Sequence, residues 1–198
     1  MSRKAVDVVL LPPENVMEEV IQLNEKFGGD ASDNFKLGKH DYIPHISLCM
    51  AIIEDEDYSE VERILEKIQE DFSPLELQFD RVNSKEIEGG SIFSAIVLKD
   101  PDKLQELHEN VVEKFKPYMG SKPSENMFYG SEEILETTLN WVRDFKEESS
   151  YENFLPHISV GFGNLDLDQK TKFEASKIAI CHLGKFCTCR DILMAAEL

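Results

Sequence analysis

The sequence contains no apolar stretch that approaches the roughly 20 residues needed to cross a bilayer, so no membrane partner is expected. The short apolar run at 5–11 is interrupted by Asp7 and is followed by Pro12 and Pro13. It therefore predicts a first strand rather than a secretion signal, and the cytoplasm is the expected location. The four cysteines lie in strand-like apolar surroundings with no Cys-x-x-Cys pair, which predicts free thiols without a disulfide framework or a metal site.

Basic residues are also scarce. The 198-residue chain carries 21 Lys and Arg against 39 Asp and Glu, which gives a net charge of −18. A protein that binds long nucleic acid through its phosphates needs clustered cations, so such a partner is excluded. A nucleic-acid ligand should instead be short: an RNA end, a dinucleotide or a nucleotide. The excess of acidic residues can also be explained without any ligand, because it keeps the protein soluble.

Hydrophobic periodicity predicts alternating helices and strands. Pro13 suits the first turn of a helix that Gly28 and Gly29 terminate, and Asp100 and Pro101 suit the start of another. The predicted order is strand 5–11, helix 13–27, strand 42–53, helix 61–72, strand 75–82, strand 91–98, helix 101–115, loop 119–131, helix 131–147, strand 155–162, a short helix near 167–176, and strands 177–183 and 187–196.

Both halves of this order begin strand–helix–strand–helix–strand, and only the helix at 131–147 and the final strand depart from the repeat. The repeat predicts an α+β fold with two pseudo-symmetric lobes, in which two small sheets face a central cleft. The whole chain, 1–198, is expected to form one domain that acts as a monomer. Residues 119–150 are interpreted as an inserted loop and helix. A packed helix is favoured there over a lid.

Two similar motifs occupy the strand that is the third element of each half. Pro-His-Ile-Ser-Leu at 44–48 recurs as Pro-His-Ile-Ser-Val at 156–160, 112 positions later. Side chains alternate along a strand, so His45, Ser47 and Cys49 should share one face, as should His157 and Ser159. Each motif thus presents one imidazole and one hydroxyl on a rigid strand whose other face is apolar.

These residues suit the cleavage of a phosphodiester without a metal or cofactor. A neutral imidazole can remove a proton from the attacking hydroxyl or water, and a protonated one can donate to the leaving oxygen. Two hydroxyls can donate hydrogen bonds to the phosphate oxygens. The alternative is a pair of buried structural histidines, and His108 is interpreted as a core histidine of that kind.

The paired His-x-Ser motifs and the repeat resemble the two-histidine phosphoesterase superfamily over nearly the whole chain. This superfamily includes LigT-like 2′-5′ RNA ligases and plant-type cyclic nucleotide phosphodiesterases. The resemblance implies that His45 and His157 are the general acid and base, that Ser47 and Ser159 hold the phosphate, and that the fold is bilobal α+β. It also implies substrates such as 2′,3′-cyclic phosphates, 2′,5′-linked oligonucleotides or RNA termini. Many relatives carry Thr where this sequence has Ser, which keeps the donor but leaves the subfamily open.

Three further residues are candidates for substrate binding. Lys39 and Tyr42 precede the first motif, and Phe154 precedes the second. An aromatic ring there could stack on a base, although a solvated loop explains these residues equally well. Two other functions remain open: hydrolysis of a cyclic phosphodiester that does not come from RNA, and a nucleotide or RNA-end binding module without turnover.

Overall fold

The structure is a computed structural model that describes residues 2–27, 35–86, 91–99, 102–167 and 170–198. It contains four α-helices within these ranges: α1 (Glu14–Glu25), α2 (Tyr58–Asp71), α3 (Asp102–Phe115) and α4 (Glu136–Glu148). The strands are β1 (Arg3–Leu11), β2 (Ile46–Glu54), β3 (Leu75–Glu86), β4 (Ile92–Lys99), β5 (His157–Phe162), β6 (Lys172–Ala175), β7 (Lys177–Leu183) and β8 (Cys189–Glu197). In the part of the chain described, no helix is both long and apolar enough to cross a membrane.

The strands form one eight-stranded antiparallel sheet in the order β6-β3-β4-β5-β2-β1-β7-β8. We call β2, β1, β7 and β8 the first lobe, and β5, β4, β3 and β6 the second lobe. The α+β class and the arrangement of the strands in two lobes are therefore confirmed. The two expected sheets, however, are joined, because Ile46 of β2 pairs with Ile158 of β5.

The predicted short helix near 167–176 is wrong. Residues 168–169 lie outside the described residues, and 172–175 form β6, which pairs with β3. Phe173 and Ala175 are buried there and alternate with exposed Lys172 and Glu174, a period of two residues that belongs to a strand. Among the described residues, the second half of the chain therefore has no counterpart of α2 between β5 and β6. The glycines at 28–29 and the residues at 100–101, predicted to bound helices, lie outside the described residues.

Helices cover both faces of the sheet. The main core places α1, α2 and α3 against one face, where Val6 and Val8 of β1 point. Val142 and Phe145 of α4 pack against Ala5 on the opposite face of the same strand. The first lobe is thus buried on both sides, and the insert at 119–150 includes a packed helix. That helix begins at Glu136 rather than near 131.

Each motif strand carries a β-bulge at the same place. The register of β2 against β1 skips Leu48, and the register of β5 against β4 skips Val160. Both skipped residues lie three positions after the motif histidine. A bulge leaves backbone groups outside the regular ladder, and those groups need other partners.

Buried polar side chains from two helices supply those partners. Asn24 of α1 donates from its side-chain amide to the carbonyl of Val160, at 2.8 Å. His108 of α3 donates from Nδ1 to the carbonyl of Leu48, at 2.8 Å, and its Nε2 accepts the backbone N–H of Tyr151. His108 is fully buried with both ring nitrogens in use, which confirms its interpretation as a core histidine. Each motif strand is therefore fixed by a helix from the other half of the chain.

Asn24 also bonds the carbonyl of Phe35 at 3.1 Å and the backbone N–H of Leu37 at 3.0 Å. We expect Asn24→Ala to lower the free energy of unfolding by about 3 kcal/mol, because it leaves several buried backbone groups unsatisfied. Chemical denaturation measures the change. The control is Asn153→Ala, an exposed residue with one hydrogen bond to a backbone carbonyl, which should cost less than about 1 kcal/mol. Equal losses in the two variants would contradict the role of Asn24.

Candidate active site

The structure brings the two predicted motifs side by side. Ile46 and Ile158 are fully buried and pair directly across β2 and β5. In an antiparallel register fixed by that pair, the residue before each isoleucine lies opposite the residue after the other. His45 therefore lies across from Ser159, and Ser47 across from His157. All four are half-buried on the sheet face opposite the isoleucines.

The predicted alternation holds only as far as Ser47. Cys49 was expected on the face of His45, but it is fully buried in the main core. Met50, expected on the other face, packs instead in the cluster under α4. The bulge at Leu48 causes this change, because one extra residue reverses the facing of every residue beyond it.

Both imidazoles are held in the same way. Nδ1 of His45 lies 2.7 Å from the carbonyl oxygen of Ile43, and Nδ1 of His157 lies 2.8 Å from that of Leu155. A carbonyl only accepts hydrogen bonds, so Nδ1 carries the hydrogen in each ring. In the neutral ring, Nε2 is then the basic nitrogen, which is the arrangement that proton transfer requires.

The prolines of the motifs explain why these carbonyls are in place. A residue that precedes proline favours an extended backbone, which applies to Ile43 and Leu155. The backbone N–H of Ile43 bonds the carbonyl of Cys189 in β8, at 2.9 Å. The carbonyl of Pro156 accepts the N–H of Leu98 in β4, also at 2.9 Å. Neighbouring strands of each lobe thus fix the segment that orients each histidine.

Burial lowers the pKa of both histidines. Burial is the main reason that the pKa of His45 falls to about 4; the nearby charge of His157, when protonated, acts in the same direction, and the bond to Ile43 opposes it. Burial also lowers the pKa of His157, against the opposing effect of its bond to Leu155. Desolvation therefore favours the neutral form of both rings near neutral pH.

Asp7 of β1 is a site residue that the sequence analysis missed. Its Oδ2 accepts the hydroxyl of Ser47 at 2.6 Å and lies 3.8 Å from Nε2 of His45. The side chain is fully buried, and Oδ1 has no hydrogen-bond partner. Burial raises the pKa of Asp7 to about 8, although the bond from Ser47 acts in the opposite direction. A lone Asp inside an apolar strand was the available signal.

Asp7, His45 and Cys189 also place one potential metal-ligand atom each within 4.8 Å of one another. Metal binding would require the carboxyl and the thiol to lose their protons. Burial raises the pKa of both groups, that of Cys189 well above its ordinary value. The donor set therefore does not fit a resident metal near neutral pH.

The three further candidates already have partners within the protein. Lys39 forms ion pairs with two glutamates of α1, at 2.5 Å each. The ring of Tyr42 lies between Phe35, with centroids 5.9 Å apart, and the Arg190 guanidinium, 3.8 Å from its centroid. Phe154 stacks on His108 with centroids 3.9 Å apart. These contacts argue against base stacking by Tyr42, and substrate binding by the three residues stays a prediction.

Arg190 connects the segment before the first motif to the insert. Its guanidinium bonds Asp41 and Glu132, and the hydroxyl of Tyr42 also donates to Glu132. The backbone N–H of Tyr129 bonds the carbonyl of Leu183 in β7, at 2.7 Å. These contacts support a packed insert rather than a free lid.

Solved structures with this fold include phosphoesterases. TT0787 of Thermus thermophilus superposes with a TM-score of 0.66 at 11% identity, covering 98% of this chain and 97% of that one. E. coli LigT complexed with NADP+ gives a TM-score of 0.59 at 11% identity, covering 100% and 99%. A structure described only as a phosphoesterase gives 0.57 at 10% identity, also covering 100% and 99%. At these identities the likeness shows the shared fold.

The sequence itself matches the 2′-5′ RNA ligase superfamily over residues 12–180. No functionally curated protein matches it significantly. The match spans most of the chain, including both His-x-Ser motifs, and supports an enzyme that acts on phosphoesters. The chain therefore belongs to the 2′-5′ RNA ligase superfamily, as a LigT-like two-histidine phosphoesterase.

Proposed function

We propose that this protein is a metal-independent phosphodiesterase that acts on RNA termini or small nucleotides. It would open 2′,3′-cyclic phosphates or cleave 2′,5′ linkages, and the reverse of such a cleavage is ligation. The observation that carries the proposal is the pair of imidazoles flanking Ile46 and Ile158, each tied through Nδ1 to a carbonyl. That geometry leaves two Nε2 atoms as proton acceptors or donors on one face of the sheet.

The reaction needs both histidines in different protonation states. One removes a proton from water, and the other donates a proton to the oxygen that leaves phosphorus. The hydroxyls of Ser47 and Ser159 would donate hydrogen bonds to the phosphate oxygens, where charge grows in the transition state. Ser47 would first have to turn its hydroxyl away from Asp7, to which it donates in the structure.

Electrostatics favour a small substrate. The net charge is −18, and two cations beside the segment that leads into the first motif, Lys39 and Arg190, are both paired with carboxylates. These cations are thus neutralised within the protein and offer little attraction to a long phosphate backbone. Among proteins of this fold, E. coli LigT has been solved with 3′-AMP, with phosphate and with ATP, all small ligands.

Turnover should be detectable with a panel of 2′,3′-cyclic nucleotides and 2′,5′-linked dinucleotides. We expect hydrolysis of at least one member in the presence of EDTA, because both proton-transfer groups come from the chain itself. Product formation by chromatography measures it. Binding of the panel without turnover would favour the nucleotide-binding module, and loss of activity in EDTA with rescue by zinc would contradict metal independence.

His45→Ala and His157→Ala should each lower kcat at least about a hundredfold, the usual contribution of one acid–base group. His40→Ala is a control because this histidine is exposed and lies outside both motifs. Steady-state kinetics on the best substrate of the panel measure the effect. Wild-type rates in either motif variant would rule out the two-histidine reaction.

Ser159→Ala should lower kcat by about tenfold or more, because it removes one donor to the phosphate. Ser159→Thr keeps the hydroxyl and should retain most of the activity. Equal losses in the two variants would indicate that packing at this position matters rather than the hydrogen bond.

The enzyme should retain its rate of phosphodiester hydrolysis at mildly acidic pH. The base must be neutral, and burial lowers the pKa of both histidines below the ordinary 6.5. The acid limb of kcat/KM, which reports the free enzyme, should therefore have its inflection below pH 6.5. A pH–rate profile measures it, and an inflection at or above the ordinary histidine pKa would show that the imidazoles are not desolvated.

A further inference from the structure

Asp7 occupies a position where burial of a carboxyl is costly. Its neighbours on the same face of β1, Ala5 and Val9, are buried and apolar. A carboxyl in such surroundings destabilises the fold unless its charge is compensated. The groups near its carboxyl include the hydroxyl of Ser47 at 2.6 Å and Nε2 of His45 at 3.8 Å, together with the backbone N–H of Cys49 and the thiol of Cys189. The first two belong to the first motif, so Asp7 lies beside the proposed reaction site.

The second motif has no such group at the corresponding position. Asp7 pairs with Met50, three residues after Ser47. By the same offset from Ser159, the corresponding residue of β4 is Phe93, which pairs with Phe162. The two His-x-Ser motifs are therefore alike in geometry but unlike in charge.

We propose that Asp7 and His45 form a dyad that retains one proton and makes His45 the general acid, which leaves His157 as the general base. Asp7 is a positioning residue in this scheme, because it acts through His45 and does not touch the substrate. This assignment rests on the proposed phosphodiesterase function and specifies the role of each histidine in it.

The distance between Oδ2 of Asp7 and Nε2 of His45 is compatible with His45 as the general acid. At 3.8 Å, Oδ2 is too far from Nε2 for a hydrogen bond but close enough for strong charge–charge attraction in a buried site. When His45 is protonated, its Nε2–H therefore remains available to a leaving oxygen. In the free enzyme, the Ser47 hydroxyl stabilises the ionised form of the carboxyl by donating to Oδ2.

The protonation equilibria agree with a shared proton. Burial raises the pKa of Asp7 to about 8 and lowers that of His45 to about 4, so between these values the pair holds one proton, which these effects alone place on Asp7. The attraction between an ionised Asp7 and a protonated His45 at 3.8 Å favours moving that proton to the imidazole. His157 has a lowered pKa and no carboxyl at the Asp7 position, so it stays neutral. Four other titratable groups interact electrostatically with Asp7 or His45: His157, Cys49, Cys187 and Cys189. A fifth, Cys181, pairs with Asp7 across β1 and β7. Burial raises the pKa of the thiols of Cys49, Cys187 and Cys189, so these stay uncharged.

The resulting step is balanced for a 2′,3′-cyclic phosphate. Nε2 of His157 takes a proton from water, and the water oxygen bonds to phosphorus. The bond between phosphorus and one ribose oxygen breaks, and Nε2 of His45 gives its proton to that oxygen. The products are a phosphomonoester and a free hydroxyl, with Asp7 left ionised. The dyad regains a proton from solvent while His157 releases one.

The test compares Asp7→Asn with wild type. The amide keeps the size of the side chain and can still accept the Ser47 hydroxyl, but it cannot hold the proton. We expect kcat at pH 7 to fall at least about tenfold. The alkaline limb of the pH–rate profile should move to lower pH, because His45 alone loses its proton earlier. Asp80→Asn removes a half-buried carboxyl of β3 that pairs with Arg81, and it should leave both unchanged. An unchanged alkaline limb in Asp7→Asn would overturn the dyad.

A second substrate distinguishes the histidine that acts as general acid from the one that acts as general base. A p-nitrophenyl phosphodiester releases a phenolate that needs no proton, so the losses in Asp7→Asn and His45→Ala should shrink with it. The loss in His157→Ala should remain. Equal losses on both substrates would overturn the assignment, and a wild-type enzyme inactive on both would instead count against the phosphodiesterase function itself.

The wild-type protein provides a check that does not depend on a variant folding. Carbon-13 and nitrogen-15 NMR of the aspartate and histidine side chains should show one group, an aspartate or a histidine, that loses its proton above pH 7, assigned to the dyad by its absence in Asp7→Asn or, if that variant does not fold, in His45→Ala. Titration of every aspartate near its ordinary pKa of about 4 and of every histidine at or below about 6.5 would overturn the proposal.

Discussion

The contact between Ile46 and Ile158 determines how the rest of the site is arranged. It is the residue pair through which β2 and β5 join the two four-stranded lobes into one sheet. Because both isoleucines are fully buried, the residues on either side of each must face the other way. The site is therefore a consequence of an apolar pairing, and its two imidazoles lie diagonally across neighbouring strands.

The backbone geometry of β2 and β5 at this contact depends on buried polar side chains that lie some distance from it. The bulges at Leu48 and Val160 set where each motif strand changes facing, and His108 and Asn24 bond the carbonyls of those two residues. A packed core can place an isoleucine, but it does not specify which carbonyl is left out of a ladder. The helices thus contribute to the reaction by specifying backbone geometry.

Local patterns in the sequence were sufficient for most of the elements and for the two motifs. The period of two residues placed His45 beside Ser47, and the repeat indicated that a second pair would meet them. Contacts between distant segments were not predictable in this way. The partner of Asp7 is 40 residues away, and the burial that raises its pKa comes from strands at both ends of the chain. The bulge that moved Cys49 likewise has no local signature, and a four-residue strand such as β6 is too short for its period to exceed chance. The cytoplasmic location and the monomeric state stay predictions.

The path of the chain between the lobes has a consequence for folding. β3 comes from the first half of the sequence but pairs with β4 in the second lobe, whereas β7 comes from the second half and pairs with β1 in the first lobe. Neither half of the chain contains a complete lobe. The present protein therefore cannot be divided into two autonomous pieces at the boundary of its repeat. Its lobes must assemble together through contacts of long sequence separation, a topology associated with slow folding.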